Sequence, residues 1–153
     1  MANQELIDNL NRALSLELSA VIQYMQHSFL VTGIEREVYR SFFRKLSEES
    51  QDHASTLGDK IVAIGGVPTV EPSMIRQSTD LVEMLRQDLA LEREGMQAYM
   101  AAWESCQDED RPTRFMLEER IAEEQRHIEE LEKLTSERKA SITREKITLR
   151  QVS

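Results

Sequence analysis

Apolar residues recur every three or four positions through four long stretches of this chain, the spacing that gathers them on one face of an α-helix. They are Leu10, Ala13, Ala20 and Tyr24 in the first stretch and Phe43, Leu46, Leu57 and Ile64 in the second. Leu81, Leu85, Met96 and Tyr99 mark the third, and Leu117, Ile121, Ile128 and Leu131 the fourth. Gly33 interrupts the pattern, then Gly65-Gly66 with Pro68 and Pro72, then QDEDRP at 107–112. The spacing predicts helices over 3–32, 34–64, 80–106 and 111–136, with Asp80 and Glu83 as a capping pair for the third.

The first and third breaks are so short that helices one and two, and helices three and four, must turn back on each other as antiparallel hairpins. The middle connection, GGVPTVEPSMIRQST, is about 15 residues long and spans ~45 Å when extended at ~3.3 Å per residue, the length of a 30-residue helix. It can run the full height of the molecule. The predicted fold class is therefore all-α: an antiparallel four-helix bundle with one long crossover between helices two and three. Composition agrees, since only five Gly and three Pro occur among 153 residues. One domain over 1–138 is expected, followed by a basic tail, 139–153. From residue 136 onward five Arg or Lys face two Glu, a net +3 within a chain total of −9, so residues 1–135 carry −12. That tail is either a loose end or an arm that docks on an acidic surface.

The acidic total argues against nucleic acid as a partner, and no apolar run reaches the roughly 18 residues of a membrane span. A lone Cys106 and a start, MANQELIDNLN, without basic or apolar leader regions point to the cytoplasm. Helices this long leave broad faces to cover, so at least a dimer is expected.

Polar residues interrupt the apolar faces at matching heights. Glu17 precedes Gly33 by 16 residues and His53 follows it by 20, while Glu92 and His127 flank the turn near residue 109 by 17 and 18. All are mid-helix core positions, where several carboxylates together call for cations. The hairpins also repeat: LELSAVIQYM and LEREGMQAYM place Tyr24 and Tyr99 seven residues after Glu17 and Glu92. EESQDHA matches AEEQRHI, except that Ser50 stands three residues before His53 where Glu124 stands three before His127. Carboxylates that neutralise and bridge two divalent ions, with one neutral imidazole nitrogen for each, suit a redox metal pair.

The segments ALSLELSAVIQYMQH, HASTLGDKIVAIGGVP, DLALEREG and EEQRHIEEL resemble bacterioferritins and, more broadly, ferritin-like di-iron carboxylate proteins, over roughly residues 4–135. The resemblance implies a ferroxidase site in which Glu17 and Glu92 are terminal ligands, Glu124 bridges the metals, and His53 and His127 each bind one. The implied substrates are ferrous iron and oxygen or peroxide, for iron storage or detoxification. The family's second bridging Glu falls on Ser50. Its haem-binding Met falls on Gln51, so haem in that mode is not expected. The fifth helix that helps to close the family's cage corresponds to the polar tail.

Glu49, four residues before His53 and about 40° around the helix from it, is the candidate replacement carboxylate. The repeat itself suggests that Ser50→Glu would add a bridge without overfilling. Other readings stand open: a single-metal or zinc site, a peroxide-reducing site like that of rubrerythrins or manganese catalases, and a non-enzymatic structural or interaction bundle whose metal site has degenerated. For His53 the alternative is a core histidine bonded to Glu17. Tyr24 and Tyr99 read as core fillers whose hydroxyls find ligand carboxylates, His27 and Trp103 as packing residues, and EEQRHIEELEK as largely solvated helix surface.

Overall fold

The computed structural model describes residues 3–136 and contains α1 (Gln4–Leu30), α2 (Arg36–Ala63), α3 (Leu81–Glu104) and α4 (Arg111–Thr135), with a short 3-10 turn at Asp108–Asp110 before α4. No strand occurs among the described residues. The basic tail 139–153 lies outside them. The all-α bundle with a single long crossover is thus the observed architecture. α1 packs against α2, α3 against α4, and α1 against α3.

Local chemistry accounts for the helix ends. The Asn3 side chain accepts from the Leu6 N–H at 3.1 Å and starts α1. Its amide nitrogen also donates to the Ser105 carbonyl at 2.8 Å and to Asp110 at 3.0 Å, fastening the start of α1 to the α3–α4 turn. α2 ends in a two-bond glycine cap: Gly65 N–H reaches Val62 O at 3.0 Å and Gly66 N–H reaches Ile61 O at 2.8 Å. Gly65 supplies the positive φ of 92°. Gly66 supplies space, because a Cβ there would lie 2.7 Å from Ile7 Cγ2. Asp80 caps α3 by accepting from Glu83 N–H at 2.9 Å, but its own N–H goes to Ser78 Oγ rather than back to Glu83. Half of the predicted capping pair forms.

The predicted faces are buried, with Ile64, Leu81, Met96 and Ile121 half-buried at the margin of a core built on Leu10, Tyr24, Phe43, Leu57, Tyr99, Leu117 and Leu131. The crossover has no regular structure, yet α1 pins it along its length. Asn11 donates to Val67 O and accepts from Thr69 N–H; Ser15 bonds Glu71 O; Ser19 donates to Ser73 O; Gln23 accepts from Arg76 N–H. These polar residues sit four apart, one per turn, beside the apolar stripe. No helix of the described residues is long and apolar enough to cross a membrane.

Candidate metal centre

Midway along the bundle, each helix contributes polar side chains to one buried cluster. Glu17, His53, Glu92 and Glu124 are all buried, and His127 is partly buried. Ligand atoms of Glu17, His53 and Glu124 lie within 4.8 Å of one another, as do those of Glu92, Glu124 and His127. Glu124 belongs to both groups and so joins them. Ser50 is buried on the same face of α2 and adds no carboxylate.

The tyrosines cross between hairpins. Tyr24 OH donates to Glu92 Oε1 at 2.5 Å and Tyr99 OH donates to Glu17 Oε1 at 2.7 Å, so each of these glutamates is anchored by the other hairpin's first helix. Burial, followed by the charge of these glutamates, raises both phenols well above their ordinary range. Each therefore stays a donor.

The histidines have two different sides. His53 Nδ1 lies 3.4 Å from Glu17 Oε1, and its Nε2 lies 2.7 Å from Glu123 Oε2. His127 Nδ1 faces Glu92 Oε1 at 3.8 Å, and its Nε2 lies 2.9 Å from Glu49 Oε2. Glu49 thus reaches the site, at the outer nitrogen of His127 and outside the two ligand groups. Sequence reasoning missed Glu123 by reading it as solvated surface. The signal was present: Glu123 stands four residues before His127, as Glu49 stands four before His53. Behind these groups α2 and α4 part around an opening of about 490 Å³, lined by the two histidines, Glu49, Glu123, Lys45 and Arg120 among others.

Crowding of buried carboxyls shifts several groups of the cluster. Burial and the neighbouring charges of Glu92 and Glu17 raise Glu124 well above the usual carboxylate range. Burial acts in the same direction on Glu92, but the neighbouring Glu124 carboxyl and His127 ring outweigh it and hold that carboxyl at about 2. Proton binding is thus favoured at Glu124 and disfavoured at Glu92. Burial depresses both histidines, and their carboxylate partners more than reverse this, so both are raised. Two buried atoms, Glu124 Oε2 and His127 Nδ1, have no hydrogen-bond partner. Both belong to the same ligand group, where a divalent ion would satisfy them. Three carboxylates and two imidazoles form a donor set that suits iron, manganese or zinc.

One turn from Glu92 lies a second polar network. His27 Nδ1 is 3.0 Å from Asp88 Oδ1, which also accepts from Gln23 Nε2 at 2.9 Å. His27 is therefore more than a packing residue. It forms a buried pair with a carboxyl that burial raises despite that pairing.

The Ferritin-like domain family matches residues 7–140. The chain belongs to the ferritin-like family. It is 30% identical over 130 residues to a bacterioferritin of Mycolicibacterium paratuberculosis, covering 84% of this chain and 82% of the relative. A crystal structure of ferritin-like, diiron-carboxylate proteins from Bacillus anthracis superposes with a TM-score of 0.83 at 36% identity, over 87% of this chain and 96% of that one. A dodecameric thioferritin, the bacterioferritin-related protein from Bacteroides fragilis, gives 0.80 at 26% identity over 97% and 92% of the two chains.

Proposed function

We propose that this ferritin-like chain binds two ferrous ions as substrate at the central cluster and promotes their oxidation, for iron storage or detoxification. The sharing of Glu124 between two three-residue ligand groups carries the reading. Glu17 and His53 would hold one ion, Glu92 and His127 the other, and Glu124 both. With peroxide as oxidant, two ferrous ions give one electron each, the O–O bond breaks, and two protons complete two waters. With dioxygen the same two electrons and two protons give hydrogen peroxide.

The residues' part is to place two ions side by side in a desolvated pocket and to exchange protons for metal. Loading would displace any proton on Glu124 and on the inner histidine nitrogens. Tyr24 and Tyr99 keep the terminal carboxylates aimed inward. A set with three carboxylates neutralises two divalent ions less completely than one with four, so the ions are held more weakly and exchange more readily than they would with a glutamate at position 50. That behaviour suits a site through which iron passes. Assembly into a homo-oligomer, supported by the dodecameric relative, would give the oxidised iron somewhere to collect.

Anaerobic loading with ferrous iron, followed by a pulse of oxygen or peroxide, tests the reading. Two ions per chain and oxidation above the buffer rate are expected. A chain that binds no metal and does not accelerate oxidation would instead be a structural bundle.

A further inference from the structure

We propose that Arg120 sets the order in which the metal centre fills: a fixed positive charge beside the Glu17–His53 half, it leaves the Glu92–His127 half to take the first divalent ion and keeps the second weakly held. The inference rests on the ligand reading above and deepens it.

The internal repeat makes Arg120 a second departure from symmetry, independent of Ser50. With His53 matched to His127 and Ser50 to Glu124, the counterpart of Arg120 is Leu46. Leu46 is buried in the core. Arg120 stands four residues before Glu124, on the same side of α4. Its side chain is 19% exposed and lines the opening between α2 and α4. Where the first hairpin turns a leucine inward, the second places a cation.

That charge bears on one half. Arg120 Nη1 donates at 3.1 Å to Glu123 Oε2, and the same oxygen lies 2.7 Å from His53 Nε2. The buried Nε of Arg120 has no hydrogen-bond partner, so the contact with Glu123 leaves part of the guanidinium unanswered. After burial and the Glu17 carboxylate, the Arg120 charge is the next influence on His53, where it disfavours a proton. What repels a proton there repels a metal ion as well. The cation beside the other half is Lys45, 3.9 Å from Glu49, and its side chain is 76% exposed, so solvent screens it.

An order of filling follows. The Glu17–His53 half lacks a carboxylate at position 50 and has a half-buried cation beside it. The Glu92–His127 half has the two buried atoms without partners, Glu124 Oε2 and His127 Nδ1, which an ion would satisfy. An ion seated there adds its own charge across Glu124, and a second ion meets that charge together with Arg120. The paired state that two-electron oxidation needs is then reached when metal is plentiful.

Calorimetry of the full chain with cobalt(II) tests the order. Wild type should bind in two steps, the tighter lost in His127→Ala and the weaker in His53→Ala. Arg120→Leu, which installs the residue found at the matching position of the first hairpin, should tighten the weaker step about 10- to 100-fold and the tighter step by a smaller factor. Arg120→Gln should act alike, and Arg120→Lys, which keeps the charge, should restore the wild-type gap. A weaker step unchanged in both neutral variants would overturn the proposal. So would loss of the tighter step in His53→Ala, or a fall in both affinities that lysine does not rescue, which would make Arg120 a structural residue. A wild type that binds no cobalt refutes the ligand reading, and the filling order falls with it.

Discussion

The two hairpins carry the same glutamate, tyrosine and histidine in the same register, and they part company at Ser50 and Glu124. The difference is matched on the facing helix. Gly95, three residues after Glu92, leaves room for the Glu124 carboxylate: a Cβ at that position would lie 3.3 Å from Oε2, tight enough to push it aside. Three residues after Glu17 stands the buried Ala20. One hairpin thus pairs a long acid with a glycine, and the other a short hydroxyl with a methyl. By the internal repeat Ala20 is the counterpart of Gly95, and on that correspondence its methyl group would bear on a glutamate placed at position 50. The expectation that Ser50→Glu adds a bridge without overfilling rests on the repeat, and the pair Gly95–Ala20 supplies the variant that tests it.

The largest effect expected on this comparison comes from Glu124→Gln. Because both ligand groups share this residue, paired binding should fall by more than the about 10- to 100-fold typical of losing an outer partner, measured by ferrous or cobalt stoichiometry. The metal-free protein should melt at an equal or higher temperature, since an amide of the same shape replaces a carboxyl whose ionised form burial and the charges of Glu92 and Glu17 disfavour. A large drop in thermal stability would mean that the charge of Glu124 supports the fold.

Next comes repair of the first hairpin. Ser50→Glu alone should lower stability by about 1–3 kcal/mol through overpacking and tighten metal binding only modestly. The double variant Ala20→Gly, Ser50→Glu should recover most of that stability and bind the second ion roughly 10- to 100-fold more tightly, as expected for one more negative charge a few ångströms away. Chemical denaturation and calorimetry of the three proteins decide the point. Indistinguishable single and double variants would remove the proposed coupling of residues 20 and 50.

A smaller effect concerns protons. Glu124 and both histidines are raised in the metal-free chain, so each binds a proton more readily than in the unfolded chain, and metal must displace those protons. Metal affinity should accordingly rise with pH through the range in which these groups lose them. Calorimetry in two buffers of different ionisation enthalpy should report net proton release on loading. Glu124→Gln should reduce that release for whatever metal it still binds.

The smallest effects belong to the tyrosines. Tyr24→Phe and Tyr99→Phe each remove one hydrogen bond to a buried glutamate and should cost about 1–3 kcal/mol of stability, read from denaturant midpoints. Tyr99→Phe loosens Glu17, in the half with fewer carboxylates, so it should weaken metal binding more than Tyr24→Phe does.

Much of this arrangement was legible before any coordinates. Apolar periodicity with few breaks determines four helices, and equal arm lengths bring Glu17, His53, Glu92, Glu124 and His127 to one height. What escaped has a common physical cause. Glu123 lies in a run of charges whose periodicity alone cannot say which one turns inward, and the choice is made by the width of the gap between α2 and α4. Asp88 and His27 are far apart in sequence, and only the packing of α1 on α3 makes them a pair. Asn11, Ser15, Ser19 and Gln23 do form a periodic pattern, but it is polar and reads as solvent-facing until a chain segment lies against it.

That polar ladder gives the crossover a property beyond connecting two hairpins. It belongs physically to α1, held by side chains at successive turns, and only its far end meets α3, through Arg76 with Glu94 and the Gln77 carbonyl with Gln87. A backbone cut just after residue 78 would therefore leave an amino-terminal fragment carrying its own strap and a carboxy-terminal fragment bearing α3 and α4, each with an incomplete ligand set. The bundle is in this sense a molecule ready for fragment complementation, in which a divalent ion that needs Glu17 and His53 from one piece and Glu124 from the other would report, and drive, the reunion of the two.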